Sequence, residues 1–490
     1  MLTTGKYVAQ PESCLKGMAA AAALVIGITF GGPAQALSLQ DAIKVAVEAN
    51  PEIGEAKANR EAIEFELRQA KGLYLPKVDV EARYGAQQLD SPATRAANRQ
   101  HDTLGRQETD ILLTQTVFDG FNRRGERHRQ AARVDGASHR VWERSEFIAV
   151  NVVREYIEAV RAHRVVEIAK SNIAYHEKVL SNLKEGTSGG SISVADRQQA
   201  EERLYAARAR LEESIEDLNA AKIRFFRLVG KPFDNPYPLP AIARALPHNL
   251  ENALAQARNN NPLVYIAKAD IDAAAALIKQ ARSEYLPKIS LELRGRAGDD
   301  LDGVPGQETE LRAEVVARWN VFKGGIDHAN VQEQVRRVDE ERFGLHRVYR
   351  EVEERMRLSW DRRAQQSRRL NQLNDQLGSA NRLIESYGEQ FKVGDRSLLD
   401  LLDSQNTRFN AQVAVETANA AYMFEQFRIL AHGGVLLTAL NIPTPSQASA
   451  YARPTQKVPE TPDAETQKRW SPDKGLIGLK LRPLAETPAK

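Results

Sequence analysis

Asn50-Pro51 and Tyr74-Leu75-Pro76-Lys77 return as Asn261-Pro262 and Tyr285-Leu286-Pro287-Lys288, both displaced by 211 residues. Further along, Val117-Phe118-x-Gly120 returns as Val321-Phe322-x-Gly324. Gly190-x-x-Ser193-x-x-Asp196 returns as Gly394-x-x-Ser397-x-x-Asp400, and Gly230 as Gly434, with the displacement now 204. The displacement changes once, so seven extra residues sit in one loop of the first copy, between Lys77 and Val117. Long segments that hold register around a loop that does not are the mark of a duplicated structural unit. The copies span 37–230 and 248–434, joined by a connector at 231–247.

Each copy begins with a short helix and an Asn-Pro pair. Asn is a good N-cap and Pro suits the first helical position, so Asn50-Pro51 and Asn261-Pro262 predict the start of a second helix. Pro76 and Pro287 end it, because the residue before proline disfavours helix. The apolar period then changes to two. Val78, Val80, Ala82 and Tyr84 alternate with Asp79, Glu81 and Arg83; Ile289, Leu291 and Leu293 alternate with Ser290, Glu292 and Arg294. Returning strands follow. The expected strands are 78–84 with 109–118, and 289–296 with 310–321. Strands of about ten residues are long enough to cross a bilayer at a tilt. Tyr74, Phe118, Tyr285 and Phe322 fall at the helix–strand junctions, where an aromatic girdle at a membrane interface would stand.

Helical hairpins come next, 120–229 with a tip at 186–191 and 324–432 with a tip at 393–396. Their first arms, Phe121 to Glu185 and Gly325 to Val393, hold no proline. At ~1.5 Å per residue such an arm reaches on the order of 100 Å. Leu370, Leu373, Leu377 and Ile384 repeat at the 3–4 spacing of a coiled-coil seam, as do Ile148, Val152, Tyr156, Ala159 and Val160.

The ends are of another kind. Lys6 and Lys16 precede an apolar run of 13 residues, Met18 to Phe30, and Ala34-Gln35-Ala36 is an A-x-A cleavage site. Residues 1–36 therefore read as a secretory signal peptide, too short in its apolar part for a comfortable span. The single cysteine, Cys14, lies in that segment, so the exported chain is held together by packing or assembly, without disulfides. Residues 435–490 read as a tail, and from Pro443 its proline and charge predict disorder over most of its length. With 68 basic and 65 acidic residues interspersed, nothing points to nucleic acid. No Walker A, G-x-S-x-G or H-E-x-x-H pattern occurs, His176-Glu177 lacks a second histidine, and no enzyme, cofactor or metal is expected.

Four strands cannot close a barrel, and lipid tolerates no open sheet edge. A membrane role therefore requires several chains; three would supply twelve strands. The element order, the Tyr-Leu-Pro-Lys motifs, Val117-Phe118-Asp119-Gly120 and the run from Val393 to Asp403 resemble the TolC family of outer-membrane channel-tunnels, over about Leu37 to Gly434. The resemblance implies a mainly α protein with a membrane β-barrel. Two tandem repeats of helix–strand–strand–long helix–helix would form a trimeric twelve-stranded barrel in the outer membrane, continued by a coiled-coil tunnel into the periplasm. It implies a homotrimer, a periplasmic membrane-fusion adaptor, an inner-membrane ABC or proton-driven transporter, and contact with outer-membrane lipid. The function expected is the passive exit duct of a tripartite exporter, first for type I protein secretion, alternatively for multidrug or small-molecule efflux. A periplasmic coiled-coil scaffold is the alternative of another class.

By the same resemblance Asp400 and Asp403 line the periplasmic entrance, Arg396 and Asp196 form a latch, and Gly190, Val393 and Gly394 dock the adaptor at the tips. Three chains would stack two rings of three carboxylates, which favour cations and make the constriction pH-sensitive. Ser397-x-x-Asp400 is equally a helix cap, whereas Asp403 has no capping role. Asp196 repeats Asp400, but Gln199 stands where Asp403 does. Phe391 occupies a position where relatives usually carry tyrosine, so the latch lacks one hydroxyl.

Overall fold

Helices that must share a partner are joined end to end by the two asparagines of the Asn-Pro pairs. The computed structural model describes residues 37–188 and 193–460; the expected leader, Gly190 and residues 461–490 lie outside the described residues. The first repeat comprises α1 (Leu39–Ala49), α2 (Pro51–Gly72), β1 (Lys77–Gln88), α3 (Pro92–Ala96), β2 (Thr103–Phe118), α4 (Asn122–Ser188) and α5 (Val194–Val229). The second comprises α6 (Leu250–Asn260), α7 (Pro262–Ser283), β3 (Lys288–Asp299), β4 (Gln307–Arg318), α8 (Ile326–Lys392) and α9 (Leu398–His432). Two short helices, α10 (Leu436–Ala439) and α11 (Ala452–Gln456), follow.

α4 and α8 are 67 residues each, far beyond an ordinary globular helix. Such a helix needs cover along its length, and no other helix of the repeat is long enough alone. On α4 the cover comes in two pieces. α2 lies beside its first part, where Arg144 bonds Glu52 at 3.1 Å and Ile63 and Leu67 pack with Ala131 and Val134. α5 lies beside the rest, where Arg224 bonds Glu155 at 3.0 Å and Arg208 bonds Glu177 at 2.9 Å.

Asn50 splices these pieces. Its Oδ1 accepts the Glu52 N–H at 3.0 Å, capping α2, while its Nδ2 donates to the Leu228 carbonyl at 3.0 Å, at the end of α5. Asn261 repeats this, accepting from Leu263 N at 3.0 Å and donating to the His432 carbonyl at 2.9 Å, which joins α9 to α7. Both asparagines are buried. Close approach at the second joint requires Gly434 (φ 68°), since a Cβ there would lie 2.3 Å from the Asn260 carbonyl oxygen. Around these joints lies the main core, with Ile43 of α1, Tyr156 of α4, Phe225 of α5, Met356 of α8 and Ile429 of α9. The connector is pinned there too: the Tyr156 hydroxyl accepts the Tyr237 N–H at 3.0 Å.

The strands form one antiparallel sheet in the order β1-β2-β3-β4, so β2 and β3 join the repeats and β1 and β4 are its edges. They run longer than the alternation predicts, because Gly85–Gln88 continue the ladder against Thr103–Arg106. β4 is shorter at its end. Trp319 leaves the ladder and its indole N–H donates to the Tyr285 carbonyl at 3.2 Å.

The expected disorder of 435–490 is corrected for 435–460. This segment folds back along α4, held by carboxylates that composition hides. Glu146 accepts the N–H groups of Leu436 at 3.2 Å and Leu437 at 3.4 Å. Asp135 accepts those of Tyr451, Ala452 and Arg453 at 2.9, 2.7 and 3.0 Å. Arg453, buried, lies between Asp135 (3.0 Å) and Asp272 of α7 (2.8 Å), and the Tyr451 hydroxyl bonds Glu64 of α2 at 2.9 Å. One strap thus ties α2, α4 and α7.

Two outcomes follow. Asn50→Ala or Asn261→Ala removes a cap and leaves a buried carbonyl unpaired, a loss of about 2 kcal/mol, read as a lowered thermal midpoint. Aspartate at either position keeps the cap but cannot donate, so it should not restore stability. Burial pushes the Glu146 carboxyl up to about 7 from 4.5, outweighing the N–H bonds from Leu437, Trp142 and Leu436. The native state therefore holds a proton that the unfolded chain has lost, and stability falls as pH rises from about 4.5 to about 7. Glu146→Gln should flatten that dependence and raise the thermal midpoint at pH 8 relative to the parent chain, with little change near pH 4.

Candidate functional site

Alternation gives the sheet two unlike faces. One carries Asp79, Glu81, Asp110, Glu292, Arg294, Arg312 and Glu314 around an open depression. Its charges are cross-paired between strands: Arg296 bonds Glu108 at 2.7 Å, and Arg294 Nε bonds Asp110 at 2.7 Å. The other face carries Val78, Val80, Tyr84, Ile111, Leu293, Leu311 and Val315, and none of the described residues covers it; Leu311 is 87% and Tyr84 85% exposed. A water-soluble sheet packs its apolar face on a core and shows its charges to solvent. Here the apolar face is left bare and the charges pair with one another, as in a strand set with lipid on one side and a wet interior on the other.

The four aromatics singled out by sequence gather at the end of the sheet that meets the long helices. Tyr74 lies beneath the guanidinium groups of Arg123 and Arg127, 4.8 and 5.2 Å from its ring centre. Phe118 meets Phe121 edge to face at 5.6 Å. Tyr285 and Phe322 are exposed, and Trp319, which periodicity had placed inside a strand, joins them. Arg123 secures this corner. Its side chain bonds Asp119 at 3.0 Å and the Thr116 carbonyl at 2.9 Å. Gly120 (φ 66°) lets β2 turn into α4 beside α7, since a Cβ there would lie 2.6 Å from the Ser283 carbonyl oxygen.

At the far end of the hairpins, α8 turns into α9 through Gly394 (φ 82°), with the exposed Val393 before it. Ser397 caps α9 by accepting the Asp400 N–H at 3.2 Å, and Ser193 does the same for Asp196 at 3.1 Å. Asp400 is half-buried and Asp403 exposed, one turn apart. Asp403 accepts a bond from Arg203 of α5 at 3.1 Å, a link between hairpins that no sequence signal distinguishes. Arg396 lies 4.6 Å above the Tyr387 ring, bonds Gln390 at 2.9 Å and approaches Asp400 at 3.9 Å. Among the described residues no ion pair joins Arg396 to Asp196 within the chain. Phe391 packs against a cluster that includes Leu180, Leu183, Leu204, Leu398 and Leu402, which binds the two tips together.

A sheet with one lipid-compatible face, set on two hairpins of 67-residue helices, is the build of an outer-membrane channel protein. A family model described as "Outer membrane efflux protein" matches residues 42–231 and 253–428, and the chain belongs to that family. It is therefore a transport channel of the outer membrane, extending into the periplasm, and not an enzyme; the periplasmic scaffold is set aside. Among its relatives, the outer membrane efflux protein BepC of Brucella suis is 23% identical, the match covering 85% of this chain and 89% of that one. The outer membrane protein TolC of Escherichia coli is 21% identical (90% and 92% covered). The alkaline protease secretion protein AprF of Pseudomonas aeruginosa is 22% identical (82% and 85%). Of solved structures, the CmeC outer membrane channel of Campylobacter jejuni matches with a TM-score of 0.70 at 15% identity, covering 88% of this chain and 89% of that one. CusC matches with a TM-score of 0.69 at 16% identity (83% and 92%).

Proposed function

We propose that three copies of this chain form the outer-membrane exit duct of a tripartite exporter whose first cargo class is protein, by type I secretion. The observation that carries the duct is the two-faced sheet with free edges. β1 and β4 cannot remain unpaired in lipid, so each must meet another copy's edge. The helices ask for the same neighbour. α7 packs on both α4 and α8, while its counterpart α2 packs on α4 and has an outer side that carries the exposed Phe65. Gly120 abuts Ser283, but its counterpart Gly324 faces open space, where the counterpart of Ser283 in a neighbouring copy, Gly72, would come. Such a duct is passive; an adaptor at the tips, around Val393, Gly394 and Gly190, and an inner-membrane transporter would supply cargo and energy.

Protein cargo is favoured by relatives named for protease secretion, AprF and PrtF. The second reading, small-molecule efflux, is favoured by the name of BepC. Comparing proteins in the medium of cells with and without the gene separates them. Loss of one or a few large proteins is the expected result. An unchanged medium with raised sensitivity to toxic small molecules would assign the duct to efflux.

Asp400 and Asp403 of three copies would form two carboxylate rings at the entrance, with Arg396 and Asp196 linking copies or hairpins there. Replacing both aspartates with alanine should reduce the cation selectivity of the reconstituted pore several-fold without altering its assembly. Unchanged reversal potentials in a salt gradient would remove these residues from the constriction.

A further inference from the structure

The seam joining the two repeats inside one chain predicts the seam joining one chain to the next, an inference that rests on the trimeric assembly proposed above. Within the chain, α4 of the first hairpin runs against α9 of the second. Polar links cross between the hairpins, four of them among the described residues. Arg164 bonds Glu416 at 3.0 Å, Asn172 accepts from Gln405 at 2.6 Å, Arg203 bonds Asp403 at 3.1 Å and Arg210 bonds Asn406 at 2.7 Å. The displacement of 204 residues carries each partner onto its counterpart in the other repeat. In a closed ring those counterparts, on α8 or α9 of one copy and α5 of the next, stand opposite each other.

Three of the four links do not survive the translation unchanged. Arg203 and Asp403 become Thr407 and Gln199; Arg210 and Asn406 become Ala414 and Glu202; Asn172 and Gln405 become Gln376 and Glu201. The fourth does. Arg164 becomes Arg368 and Glu416 becomes Glu212, so both charges are kept with their signs and at the same relative height. Arg368 and Glu212 are exposed, and among the described residues neither forms an ion pair within its own chain. The apolar side of the seam agrees. Leu398 is buried in the tip cluster, whereas its counterpart Val194 is exposed, as is Leu383, the counterpart of Val179 in that cluster.

We propose that Arg368 of one copy pairs with Glu212 of the neighbouring copy, and that this ion pair fixes the height at which neighbouring hairpins meet. A partly exposed pair adds little to stability. Its use is in register, because smooth helical arms about 100 Å long can slide by whole turns unless a specific contact selects one alignment. The seam between copies then keeps the counterpart of one ion pair, Arg164 with Glu416, and lacks that of the other, Arg203 with Asp403.

The test uses the full chain in its native membrane, with Cys14 replaced by serine so that only introduced thiols remain. Arg368→Cys with Glu212→Cys, treated with a short bismaleimide, should give dimer and trimer bands on a denaturing gel. Arg164→Cys with Glu416→Cys should give a cross-linked monomer and no ladder. Arg368→Cys with Asp196→Cys, four turns off register, should give neither. A native mass of three chains without the ladder would overturn the pairing and leave the assembly standing; a native mass of one chain would overturn the assembly itself. Charge exchange checks the result without cross-linking. Arg368→Glu or Glu212→Arg alone should lower the temperature at which the solubilised assembly dissociates, and the two together should restore it. A double variant no better than the single ones would also overturn the pairing.

Discussion

Everything along the axis of this molecule depends on two buried asparagine side chains. A 67-residue helix cannot be stabilised by propensity alone; it needs an apolar partner over most of its length. The chain supplies that partner in halves that arrive from different places in the sequence, α2 before the sheet and α5 after the tip. Where two helices abut, a set of unsatisfied N–H groups faces a set of unsatisfied carbonyls. The carboxamide is the side chain that serves both, its oxygen accepting from Glu52 N while its nitrogen donates to the Leu228 carbonyl. Proline at the next position supplies a first helical residue that has no N–H to satisfy. The same device at Asn261 keeps the second hairpin in step with the first.

Duplication then accounts for what is unequal in the structure. Elements with a counterpart in the chain are buried between repeats, and the same elements at the outer edges are bare. Gly120 is crowded while Gly324 is open, and Leu398 is buried while Val194 is exposed. These inequalities fit the proposed ring of three copies, in which each chain would be two-sixths of the whole. The first repeat finds its neighbour within the polypeptide, and the second would find it in another copy.

Much of this was legible from the residues. Period-two alternation located three strands and, less cleanly, the first-copy return strand, and glycine with proline-free spacing located both hairpins. Strand ends were less legible, because pairing carried Gly85–Gln88 into the ladder despite their composition, and a hydrogen bond drew Trp319 out of it. Asn50 read correctly as a cap, but its second bond goes to a residue 178 positions away, which local reasoning does not reach. Asp196 and Asp400 were visible through their repeat, whereas Arg203, one arginine among many, is distinguished only by its approach to Asp403. The segment after Gly434 was misread for a related reason. Its order comes from Glu146, Asp135 and Asp272, carboxylates placed by earlier parts of the chain, and composition cannot register a partner so distant.

That segment also bears on the order of synthesis. Asp135 and Asp272 are buried acids whose compensating guanidinium, Arg453, is made after both repeats are complete. Until it arrives, the groove between α2, α4 and α7 lacks the guanidinium that bridges Asp135 and Asp272, and removing one partner of a buried ion pair costs about 3–5 kcal/mol. A chain released early, with every strand and every long helix intact, would still lack the clasp. The fold thereby gains these buried ion pairs from a segment made after every strand and long helix.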